Sequence, residues 1–116
     1  PHKHEKHKSE SYHMIEGALD LYLLDDNGKI INVIKLASSD NDYNEKRQKI
    51  YRLSSPIYHL MIPLTKWTIF HEISTGPYEK NNATYAPFAP TDNAEKDEIK
   101  RYLNKLIGNN NFINYV

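Results

Sequence analysis

The first ten residues, PHKHEKHKSE, are polar and rich in histidine, and the pattern then changes sharply. The next stretch, SYHMIEGALDLYLLD, is dense in β-formers and too irregular for a helical stripe. It predicts one or two strands with a bend at Gly17. Asp26-Asn27-Gly28 follows. An Asn-Gly pair suits a two-residue turn with positive φ at both central positions, so a hairpin is expected from Ala18 to Leu36, with KIINVIKL as its return strand. ASSDNDYNEKRQ is a polar loop, and KIYRL (49–53) is a short strand. After the turn Ser54-Ser55-Pro56 comes IYHLMIPL, then the turn Thr65-Lys66, then WTIFHEIS (67–74). Short strands with tight turns between them predict an antiparallel sandwich or barrel.

From Thr75 the β-pattern stops, and TGPYEKNNATYAPFAPTD reads as a proline-rich surface loop. Asp92 with Glu95 three residues later resembles a capping box, which predicts a helix from about Ala94. Ile99, Tyr102, Leu103, Leu106 and Ile107 fall on one stripe, and Gly108 suits the end of the helix. The predicted organisation is one domain. A barrel spans 1–90, a helix packed on it spans 91–108, and a tail spans 109–116.

Charge narrows the partners. Fifteen basic and fifteen acidic residues cancel, so no positive field exists to attract nucleic acid. No run approaches a membrane span. No secretory signal is visible, and a soluble cytoplasmic protein is expected. The chain opens at Pro1 rather than methionine, which leaves room for further residues upstream, including part of the first strand. Cysteine is absent, so any metal must sit on imidazole and carboxylate. Those donors suit zinc, iron, manganese or nickel.

The candidate chemistry lies in His2-Lys3-His4, Glu10 and the distant His59. Residues i and i+2 of a strand share a face, so His2 and His4 can project together. Glu10 opens the next strand on the face of Tyr12 and Met14, and His59 shares a face with Ile57 and Met61. Three imidazoles and one carboxylate from neighbouring strands can then meet and leave open coordination positions. The competing reading is a histidine-rich tail that binds metal loosely. His13 falls on the strand face opposite Glu10. His71 and Glu72 adjoin, so only one of them faces inward.

The run His-x-His, Glu-x6-Gly and a later Pro-x-x-His resembles the two cupin motifs. More specifically, the chain is similar to the WbuC-type cupin-fold metalloproteins of bacterial polysaccharide gene clusters. The similar stretches are PHKHEKHKSESYHMIEGALDLYLLDDNGKI, SSPIYHLMIPL, IFHEISTGPY and YAPFAP, between Pro1 and Pro90. The resemblance implies a mainly all-β jelly-roll barrel and one divalent metal on His2, His4, Glu10 and His59. Five residues separate His4 from Glu10, one more than the pattern allows, which makes His7 a rival ligand. Ser55-Pro56-Ile57-Tyr58 stands where the second motif usually carries a glycine.

The function expected from this resemblance is metal-dependent chemistry on a carbohydrate or related small metabolite in bacterial surface polysaccharide biosynthesis. An isomerase, an epimerase or an oxygenase would each fit. The ligand would be a sugar or a nucleotide sugar, with Tyr12, Trp67 and Tyr78 as walls. Glu72 has two readings, a general acid or base in the pocket and a surface ion pair. The alternative function is a non-enzymatic sugar-binding module whose metal is structural or vestigial. The class is compatible with a homodimer.

Overall fold

The computed structural model describes residues 1–4, 9–39, 46–75, 83–91 and 94–108, with the side chains of 4 and 83–85 outside that description. The strands are β1 (His2–His4), β2 (Glu10–Glu16), β3 (Ala18–Leu24), β4 (Ile30–Ala37), β5 (Ile50–Leu53), β6 (Tyr58–Pro63), β7 (Ile69–Ser74) and β8 (Ala83–Tyr85), followed by the helix α1 (Lys96–Ile107). They form two antiparallel sheets, one of five strands in the order β4-β3-β6-β1-β8 and one of three in the order β5-β2-β7. The protein is therefore mainly β with one C-terminal helix. No helix among the described residues is long and apolar enough to cross a membrane.

Three layers follow from where the apolar side chains point. Leu19, Leu21 and Leu23 of β3 and Leu36 of β4 pack against Tyr12 and Leu53 of the smaller sheet. On the other face of the larger sheet, Tyr22 and Ile62 meet Leu103 of α1, with Ile99 and Ile107 beside them. Strand β3 is thus covered on both faces, and all seven of its residues are buried. That explains why ALDLYLL lacks the polar alternation of a half-exposed strand. Its one charge, Asp20, is buried in an ion pair with Arg47 at 2.8 Å, and Arg47 also donates to the Leu19 carbonyl. A buried carboxylate needs such a partner to offset its desolvation.

Gly17 carries the chain from β2 in one sheet to β3 in the other, at φ +83°. A Cβ there would stand 2.3 Å from both Thr65 Oγ1 and the Trp67 carbonyl oxygen, so the bend requires glycine on both counts.

Three local expectations are corrected. The β3–β4 hairpin forms, but its turn differs from the expected one. Among the described residues only glycines have positive φ, so Asn27 does not, while Gly28 sits at +88°. The Asp25 carboxylate accepts the Asn27 and Lys29 amides at 2.9 and 2.8 Å, and Asp25 and Lys29 close the loop through their backbones. A longer loop organised by Asp25, with one left-handed glycine, thereby replaces the two-residue turn. The helix starts later than the capping box implies. Glu95 is its N-cap, without a side-chain capping bond, and Asp92 lies outside the described residues. Lastly, β-structure continues past Thr75, because Ala83–Tyr85 pairs with β1. A three-residue strand defined by backbone pairing leaves no periodicity to read.

Candidate metal centre

Strand pairing builds the site. β1 lies against β6 with His2 directly opposite His59, and their rings stand 4.4 Å apart between centroids at 61°. The third member comes from the other sheet. Glu10 begins β2, and it shares the inward face with Tyr12 two residues on. One ligand atom each from His2, Glu10 and His59 lies within 4.8 Å of the others. Strand pairing within one sheet thus joins residues 57 sequence positions apart, and the packing of the second sheet adds Glu10.

The local bonds prepare these groups to coordinate a cation. His59 Nδ1 donates to the Ile57 carbonyl at 3.0 Å, which holds a ring proton on Nδ1 and makes Nε2 the nitrogen that a metal would take in the neutral ring. Nε2 faces Glu10 Oε2 at 3.8 Å, too far for a hydrogen bond and within the span of two donors each about 2.1 Å from a shared ion. Glu10 and His59 are only 3% and 4% exposed, so the carboxyl group is held away from water beside the imidazole. A divalent cation would offset that burial. The donor set therefore fits a metal ion that prefers nitrogen and oxygen ligands.

Tyr12 supports the carboxylate. Its hydroxyl donates to Glu10 Oε2 inside the core. Burial is the main cause that pushes the Tyr12 hydroxyl far above its ordinary range, and the bond to Glu10 and the charges of Glu10 and Glu72 add to it. Tyr12 is therefore a fixed proton donor at any ordinary pH. Its ring is fully buried, edge-on to Phe70 at 6.1 Å, rather than on an open wall. The sequence carried a signal for this contact: Glu10 and Tyr12 are i and i+2 on one strand. The Ile57 carbonyl had no such signal, since any residue has one.

The remaining candidates fall in different places. Glu72 sits opposite Tyr12 in the β2–β7 register, so it takes the inward face while His71 takes the outward one, and Glu72 is exposed to solvent. Trp67 is 68% exposed in the turn before β7, level with Gly17, whereas His59 pairs with Leu23 at the far end of β3. It thus sits at the end of the strands away from the metal group. The His4 side chain, His7 and Tyr78 lie outside the described residues. A cavity of about 320 Å³ opens between α1 and the larger sheet, lined by Leu60, Pro63, Ile99 and Leu103. It is on the opposite side of that sheet from the metal group and offers no comparable donor set. No family model, curated protein or solved structure matches this chain.

Proposed function

We propose that this chain is a cupin-type β-barrel metalloprotein that holds one divalent first-row metal on His2, Glu10 and His59. The supporting observation is the convergence of those three side chains, two of them buried, from β1, β2 and β6. In this reading the two sheets are the halves of the barrel, Gly17 is a corner between them, and His4 completes the ligand set as the resemblance implies. Such a metal supplies a Lewis acid that polarises an oxygen of a bound small molecule. The proposed substrate class is a sugar or nucleotide sugar of surface polysaccharide biosynthesis in the cytoplasm. The chain's own residues divide the rest of the work. The Ile57 carbonyl sets the His59 tautomer, Tyr12 orients Glu10, and Glu72 is the exposed acid on the same face that would exchange a proton with a ligand.

A second reading draws on the burial of Glu10 and His59 at 3% and 4% exposure. It makes the metal structural and the protein a binding module. Isomerisation or epimerisation of nucleotide sugars by the metal-loaded protein separates the two, since a binding module would hold such a sugar without converting it.

The metal site is tested by metal analysis of His59→Ala beside the native chain. His59 is remote from the histidine-rich start of the chain. Loss of one tightly held ion is expected, with the weak ions of that segment retained. His2→Ala, at a less buried position, repeats the test if His59→Ala folds poorly. Unchanged stoichiometry and affinity in both variants would falsify the site.

A further inference from the structure

The outer face of the smaller sheet carries a second arrangement of histidines. His13 on β2 lies directly opposite His71 on β7, with ring centroids 6.1 Å apart and planes at 86°. Both point away from the core, because Glu10, Tyr12 and Met14 take the other face of β2. We propose that His13 and His71 form a separate surface metal site, a two-histidine chelate for a borderline divalent cation such as Ni²⁺, Cu²⁺ or Zn²⁺.

The geometry is close to what a chelate needs. Two imidazoles on one ion at about 2.1 Å, in a tetrahedral arrangement, have centroids about 5 Å apart. The pair must therefore close by about 1 Å, which side-chain rotation of the exposed His71 toward the half-buried His13 supplies without moving the backbone. The backbone itself is held. β2 is the central strand of its sheet, and His13 is flanked by His71 on one side and Ile50 on the other. Imidazole donors without thiolate favour ions of the nickel, copper and zinc group over magnesium or calcium. Ile50, Ile69 and Ile73 are exposed around the pair and offer no competing donor. The remaining coordination positions face solvent and would hold water or a donor from outside the chain.

The site is independent of the buried group, since it uses the opposite face of β2. Titration of the full chain with Ni²⁺ is expected to show a step of one ion per chain that depends on both histidines. A second imidazole held at hand raises affinity by at least about a hundredfold. His13→Ala and His71→Ala should each weaken the step by about that factor, and the double variant should weaken it little further, because either loss already breaks the chelate. Both positions are on a sheet surface, so the variants should retain the native circular dichroism. The step should persist in His59→Ala. Native affinity in the double variant would place the ion on the histidine-rich start of the chain and overturn the assignment. So would a step lost in only one of the single variants, or lost in a His59→Ala or His2→Ala chain that keeps the native circular dichroism.

Discussion

Tyr12→Phe removes one oxygen atom from the centre of the protein and leaves the rest of the ring in place. The ring's edge contact with Phe70 and its packing against the leucines of β3 survive. What is lost is the donor to Glu10 Oε2. A hydrogen bond to a charged group contributes about 1.5–3 kcal/mol, and here the acceptor is a carboxylate only 3% exposed, which water reaches poorly. An independent route gives the same size. Loss of a group that orients a metal ligand typically lowers metal affinity about 10- to 100-fold, which is about 1.4–2.7 kcal/mol. The variant is therefore expected to bind Zn²⁺ about 10- to 100-fold more weakly in competition with a chromogenic chelator. Its metal-free form should also unfold at lower urea concentration. Because the Tyr12 hydroxyl titrates far above the ordinary range, the ratio of native to variant affinity should stay constant between about pH 7 and 9. An affinity within twofold of the native protein would refute the claim that Tyr12 orients a metal-binding Glu10. Reduced stability with unchanged affinity would mean that Tyr12 supports the fold and not the metal site.

Two further outcomes test the scaffold. Gly17→Ala combines a left-handed backbone, costing about 1–2 kcal/mol, with a Cβ 2.3 Å from Thr65 Oγ1 and the Trp67 carbonyl, an overlap costing about 1–3 kcal/mol. A total of about 3 kcal/mol should appear in urea unfolding, and a loss below about 1 kcal/mol would contradict the tight corner. Stability should also fall at alkaline pH. Burial raises the hydroxyls of Tyr22 and Tyr102 above their usual value near 10, with the charge of Asp20 adding to the rise at Tyr22. The native state then holds its protons more tightly than the unfolded chain. This stabilisation is complete below about pH 10 and is lost as pH rises through the higher native values. Unfolding midpoints that stay level from pH 9 to 11 would contradict it.

Several features were legible in the chain because their causes are local. Alternating β-formers placed β2, β4, β6 and β7, and the apolar stripe from Ile99 to Ile107 placed α1. Gly17 marked the bend between sheets because no other residue fits its backbone. The inward face of Glu10 and Tyr12, and the outward face of His13, follow from the two-residue period of a strand. Other features depended on partners remote in sequence. β8 exists because β1 offers it backbone groups to pair with. The turn after β3 took its shape from the Asp25 carboxylate as well as from Asn27-Gly28. That β3 is buried on both faces was decided by α1 arriving on its outer side. The convergence of His2, Glu10 and His59 belongs to this second class. Local pattern determined which face each strand presents. Strand pairing set His2 beside His59, and the packing of one sheet on the other set their distance from Glu10, because long-range pairing and apolar burial fix them and no single segment encodes either.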